Sequence, residues 1–179
     1  MRLLFLALLS LALPAGAADK HPAQQHAQAY YTWVLKHPGT ALPSPKERTQ
    51  LGKLLAPELI TLLQQASAAE KQCVKTTPAG DKPFVLEGDL FTGNYEGASE
   101  VSYGELRLEG AQAVIPANLV LIDPRFPKAH PFRTLVWQDE LNLQESAGQW
   151  RVRDVKFRDG GSLRQVLQDY LLNAEESCK

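Results

Sequence analysis

Residues 133–172 read RTLVWQDELNLQESAGQWRVRDVKFRDGGSLRQVLQDYLL, and this stretch decides the fold. From Arg133 to Gln144, Leu135, Trp137, Leu141 and Leu143 fall on one side of an extended chain, the period-two pattern of a half-buried strand. Ala147-Gly148 turns the chain into a second strand, Gln149–Arg158. There Trp150, Val152 and Asp154 alternate, while Val155 and Phe157 point the other way, which predicts a bulge near Asp154. Asp159-Gly160-Gly161 ends the strand and Ser162 can cap a helix, with Gln165 three residues on. Leu163, Val166, Leu167, Tyr170 and Leu171 then form one helical stripe.

Working outward, Glu100–Leu108 and Ala113–Ile122 read as two further strands with Gly110 between them. Pro116 lacks an N–H, so it predicts a bulge or an edge position. Asp123-Pro124 to His130-Pro131 is a loop. Residues 76–98 hold Pro78, Gly80, Pro83, Gly88, Gly93 and Gly97 and follow no periodicity. Their Phe84, Leu86, Leu90, Phe91 and Tyr95 predict a segment packed on the domain rather than a binding loop. Upstream, Ala27, Tyr30, Tyr31, Val34 and Leu35 make an apolar stripe over Gln24–His37, stopped by Pro38-Gly39. Ser44, Pro45 and Glu47 spell a capping box, and Pro57 opens another helix reaching about Cys73. The expected fold class is α+β: N-terminal helices and a C-terminal helix packed on a curved antiparallel sheet of about four strands.

After Met1 come Arg2, an apolar run from Leu3 to Leu13, and the small residues Ala15-Gly16-Ala17. This is the layout of a secretory signal peptide cleaved after Ala17. The run has roughly eleven residues, short of the ~20 that span a bilayer. Residues 18–23 read as a polar leader and 24–179 as one domain. Arg2 is the one charged side chain in residues 1–17, so 19 basic and 20 acidic residues become 18 and 20 after cleavage. No basic excess supports nucleic-acid binding. Cys73 and Cys178 read as a disulfide in an exported chain. Closing a loop of about 100 residues would stabilise the fold by up to ~4.7 kcal/mol in the chain-entropy model.

The sequence carries no phosphate-binding glycine loop, nucleophile elbow or metal-ligand spacing, so no cofactor or metal is expected. His21 and His26 are five apart, a poor helical metal pair. His37 sits at a helix C-terminus, where it suits the dipole, and His130 lies in a Pro-rich loop. Trp33, Trp137 and Trp150 read as core. Asp139 breaks its pattern, because it shares the apolar face of Trp137 and Leu141. A carboxylate there is desolvated and needs a partner, with Arg107 and Arg153 on neighbouring strands as candidates. Tyr103 is a possible wall of the same cavity, and Asp154 a further candidate.

Ala29-Tyr30-Tyr31-Thr32-Trp33-Val34-Leu35 resembles the opening helix of the bacterial exported proteins grouped as domain of unknown function 3828. Gly148–Val155, followed by Gly160-Gly161-Ser162-Leu163, resembles their closing strand and helix. The resemblance covers about residues 24–175. It implies a nuclear-transport-factor-2-like (cystatin-like) cone of helices against a curved sheet, and an exported domain rather than a particular reaction. Lipoprotein members of that family start from a Cys, which this chain lacks after its leader, so membrane anchoring does not transfer.

Three functions are compatible with this reading. The first is a non-enzymatic periplasmic domain that binds a small ligand or a partner protein. The second is an immunity-type inhibitor of a periplasmic toxin. The third is a cone-fold isomerase or hydrolase using Asp139 with Tyr103 or Asp154, which requires those groups to converge on one substrate atom. The address is directly testable. Non-reducing mass analysis of exported protein should give a chain starting near Ala18 and lighter by two protons; an intact Met1 or two alkylatable thiols would contradict it.

Overall fold

A computed structural model describes residues 20–178. The signal-peptide reading of residues 1–17, and Ala18 and Asp19 of the leader, lie outside the described residues. The chain forms α1 (Pro22–Val34), α2 (Pro45–Leu51), α3 (Pro57–Thr76), β1 (Glu100–Tyr103), β2 (Arg107–Glu109), β3 (Gln112–Ile122), β4 (Thr134–Ser146), β5 (Gln149–Lys156) and α4 (Leu163–Ser177). The class is the expected α+β, with α1, α3 and α4 packed on one face of a curved antiparallel sheet. Strand order is β1-β3-β4-β5, with β2 also paired to β3.

Helix α1 starts at Pro22, two residues earlier than the stripe predicted, because His21 serves as its cap. The His21 Nδ1 accepts from the Ala23 amide at 3.2 Å, and Gln24 Oε1 accepts from the His21 amide at 3.2 Å. This reciprocal pair satisfies two donors that a helix start otherwise leaves open. The helix ends at Val34 rather than His37. His37 then turns back, its Nδ1 2.7 Å from the Trp33 carbonyl and its ring stacked 4.2 Å from the indole. Helix α2 has the capping box read from Ser44, Pro45 and Glu47, and α3 begins at Pro57 as expected.

The strand expected over Glu100–Leu108 is split into β1 and β2. Tyr103 pairs with Ala117 and Arg107 with Val114, so one extra residue lies on the outer strand opposite Pro116. Pro116 has no N–H to give, though its carbonyl accepts from the Gly104 amide at 2.8 Å. A Cβ on Gly104 would lie 3.0 Å from the proline ring, so the approach favours glycine there. Between β4 and β5 the register moves at Asn142 and Leu143: Asn142 faces Asp154, and Leu143 faces Val152. Arg153 is the bulged residue, which brings both Val152 and Val155 into the core.

The core lies between the helices and the inner sheet face, with Tyr30, Tyr31, Leu59, Leu63, Phe91, Ile115, Leu119, Leu141 and Leu163 fully buried. Trp33, Trp137 and Trp150 join it as expected. Cys73 and Cys178 form the expected disulfide, with Cα atoms 4.7 Å apart. It ties α3 to the end of α4. Residues 54–56 run along β5: the Ala56 amide donates to Val152 O at 2.8 Å, and the Val152 amide donates to Leu54 O at 2.9 Å. His26 Nε2 reaches the same Leu54 carbonyl at 2.8 Å, so one oxygen joins α1 to the sheet edge.

Burial pushes the His26 imidazole below the usual histidine value; the Leu54 carbonyl opposes this and the Arg151 charge adds to it. Unfolded His26 takes up its proton near about pH 6.5, whereas the folded form resists it. Its contribution to stability is therefore whole above that pH and is lost as pH falls through the lowered folded value. His26→Gln keeps a donor for Leu54 and removes this titration. The urea midpoint of the variant should fall less than that of the parent between pH 7.5 and 5.5, and equal losses would contradict the assignment.

Candidate functional site

Register places Tyr103, Ala117 and Asp139 side by side on three neighbouring strands, all on the inner face. Ala117 is small, and α1 fills the space above it with Tyr30 and Tyr31, both fully buried. The two rings meet edge to face at 5.0 Å, and the Tyr31 ring lies 6.1 Å from that of Tyr103. Tyr30 donates its hydroxyl to the Phe91 carbonyl at 3.1 Å, while the Tyr31 hydroxyl has no partner. Burial drives both phenols well above their usual range and pushes Tyr103 up to about 12. The concavity expected between Tyr103 and Asp139 is thus occupied by aromatic side chains.

Asp139 is only 2% exposed. Its Oδ2 accepts from the Gly93 amide at 2.7 Å and the Trp137 indole N–H at 3.2 Å. Its Oδ1 accepts from the Arg158 amide at 3.3 Å. Burial raises the carboxyl above its ordinary value, the three hydrogen bonds pull it back down, and the Asp159 charge adds a small upward push. Neither arginine expected as a partner reaches it. Arg107 lies on the opposite face of the sheet and pairs with Glu140 at 2.6 Å, and Arg153 is displaced by the bulge. A Cβ on Gly93 would lie 2.6 Å from Asp139 Oδ1, so only glycine lets the loop backbone come this close.

Gly93 belongs to the long segment predicted to pack, and Asp89 organises that segment from within. Its Oδ1 accepts from the Phe91 amide (2.8 Å), the Thr92 amide (2.9 Å) and the Thr92 hydroxyl (3.1 Å). Its Oδ2 accepts from the Gly39 amide at 3.1 Å. Leu90 and Phe91 are buried as a result, although Tyr95 stays 61% exposed. Desolvation raises the Asp89 carboxyl, and these donors oppose it.

Asp154 stands apart from the other candidates. It faces Asn142 on the outer side of the sheet, and its Oδ1 accepts from the Val155 and Arg164 amides at 2.9 and 3.0 Å. The sheet therefore brings Tyr103 and Asp139 into one row and sends Asp154 to the other face. Among the described residues no group of three or more His, Cys, Asp or Glu is placed to hold a metal ion. No described helix is long and apolar enough to cross a membrane.

The feature that sequence reading passed over as a plain loop is the tip of the β3–β4 hairpin. Asp123 is 7% exposed and grips Arg125 through both carboxylate oxygens, at 2.9 Å from Nε and 2.7 Å from Nη2. The Arg125 guanidinium holds the Asp123 carboxyl below the usual range. The Asp123 amide donates to Arg133 O at 2.8 Å, and the Arg133 guanidinium donates back to the Asp123 and Phe126 carbonyls. On this frame Phe126 stacks on His130 at 4.5 Å, and the Phe132 amide donates to His130 Nδ1 at 3.2 Å. Phe132 is 73% exposed and Val136, near the start of β4, 63%; Leu135, at 37%, points to the opposite face of the sheet, that of Trp137. The signal available in the sequence was Phe126, His130 and Phe132 within one charged, proline-bearing turn.

Comparison with protein-family models, with curated proteins and with solved structures gives no match.

Asp139→Asn replaces an acceptor with an N–H that faces backbone donors. It should destabilise the fold by about 1–3 kcal/mol, the usual cost of a buried polar group left without its partner. Gly93→Ala should lower stability too, through the close approach described above. Urea unfolding measures both; a variant as stable as the parent would show that the carboxylate does not hold the loop.

Proposed function

We propose that this chain is an exported periplasmic domain that binds a partner protein through the β3–β4 hairpin tip. The carrying observation is the pair of exposed apolar side chains, Phe132 and Val136, at a turn braced by Asp123, Arg125 and Arg133. Large apolar groups held rigidly in solvent cost little further ordering when they dock. Arg125, Lys128 and Arg133 outnumber Asp123 and Glu96, the latter 3.6 Å from Arg125, so the surface suits an acidic partner with an apolar recess. The disulfide supports residence in an oxidising compartment, and the leader sequence supports export. A binding role is further supported by the engagement of Asp139 and Asp154 with backbone amides, on opposite faces of the sheet.

The immunity-type inhibitor is one form of this reading, since a braced, exposed turn suits insertion into a toxin's cleft. A neighbouring effector gene would support it. The nuclear-transport-factor-2-like likeness and the kinship with domain of unknown function 3828 stay part of the proposal, resting on the residues of α1, β5 and the start of α4.

A small-ligand reading has its own observation. Lys20, Gln24, Gln28, Ser102, Tyr103 and Gly104 line a cleft of about 320 Å³ between α1 and β1. This is at the small end of ligand sites, which run from about 300 to 1,000 Å³.

A photo-crosslinking residue at position 132 of the exported protein should yield one defined adduct, with a control at Leu172, which is 65% exposed on α4. The adduct should be lost when Val136→Ser is added. Equal labelling from both positions, or none from 132, would overturn the hairpin reading.

A further inference from the structure

The outer face of the sheet carries a second concave feature, where β5 meets the start of α4. It is a cleft of about 300 Å³ with Arg153, Lys156 and Arg164 in its walls, together with Asn142 and Asp154. Three cations therefore share one recess with one carboxylate. One oxygen of that carboxylate is turned to the backbone: Asp154 Oδ1 accepts from the amides of Val155 and Arg164 at the helix start. Among the described residues Arg153 and Arg164 have no ion-pair partner. The one contact between them adds no negative charge, since Arg164 Nη2 donates to the Arg153 carbonyl at 3.3 Å. Lys156 lies 3.9 Å from Glu140, but that carboxylate is held more closely by Arg107, at 2.6 Å.

The fourth wall residue adds an independent sign. The Asn142 Nδ2 is buried and has no acceptor. Buried amide donors are ordinarily paired, and one left open beside unpaired cations marks a place for an acceptor. The bulge at Arg153 is what gathers these groups. By inserting one residue opposite Asn142 and Leu143, it places Arg153, Asp154 and Lys156 around Asn142 instead of alternating them across the sheet.

We infer that this cleft binds a small phosphate or comparable multivalent oxyanion, held by Arg153, Lys156 and Arg164 and oriented by the Asn142 amide. Guanidinium groups suit this task because their planar N–H forks match paired oxyanion oxygens. The site lies on the sheet's outer face, on elements other than the hairpin tip, and stands or falls separately from the proposed partner surface.

The test is a titration of the folded, disulfide-bonded protein with inorganic phosphate at constant ionic strength, read by amide chemical shifts. Shifts should saturate and concentrate at Asn142, Arg153–Lys156 and Leu163–Gln165, and chloride should not reproduce them. Lys156→Gln with Arg164→Gln should weaken binding at least tenfold, while Lys71→Gln on α3 should leave it unchanged. If the double variant unfolds, Lys156→Gln alone serves, because that side chain is 64% exposed and its loss leaves the core intact. Shifts spread over every basic residue, equal shifts with chloride, or undiminished binding by the variant would overturn the assignment.

Discussion

The buried carboxylate of Asp139 is the constraint on which the rest of this molecule is arranged. It sits where the strand pattern calls for an apolar residue, and an unpartnered charge there would be costly. Its three donors come from separate parts of the chain: the loop at Gly93, its own strand at Trp137, and the turn at Arg158 that leads to α4. One side chain thereby ties a long irregular segment, the sheet and the approach to the last helix together. At 2% exposure, Asp139 presents almost none of its surface to solvent. A carboxylate used in this way is a fastener, and its burial follows from structure without appeal to a reaction.

Around that fastener the inner face is filled by aromatic side chains. Tyr30 and Tyr31 fill the hollow over Ala117, and Phe91 enters from the long loop to accept the Tyr30 hydroxyl on its carbonyl. Loops ordinarily avoid the core because their backbone groups go unsatisfied there. This one enters because Asp89 satisfies its amides internally and Asp139 satisfies one more from outside. The surfaces left for recognition then lie at the periphery: the hairpin tip, the α1–β1 cleft and the recess beside α4.

The elements were largely legible in the sequence because they follow from periodicity and punctuation. Ser44, Pro45 and Glu47 announce α2, the phase change at Val155 announces the bulge, and the paired cysteines announce the bridge. What escaped was carried by backbone atoms. Histidine is an unusual cap, so the true start of α1 at His21 was hidden. The partners of Asp139 were sought among arginine side chains, yet two of the three are backbone amides, which side-chain patterning does not reveal. The interruption of the first strand depended on Gly104 meeting Pro116, a pairing fixed by register rather than by either residue alone. The hairpin tip escaped for a different reason: hydrophobic periodicity is silent in a turn, and its apolar residues belong to no stripe.

Both margins of the sheet are poor templates for further growth. On one side the outer strand is short and broken opposite Pro116; on the other, residues 54–56 already occupy the hydrogen-bonding row of β5 at Val152. A sheet with open, regular margins recruits other chains through its backbone, with little regard for their sequence, and so invites fibre-like stacking and strand exchange. Here that indiscriminate route is discouraged at both ends. Association then falls mainly to side chains, which means to shape and charge, and the protein gains selectivity in crowded surroundings from the same irregularities that complicate its strands.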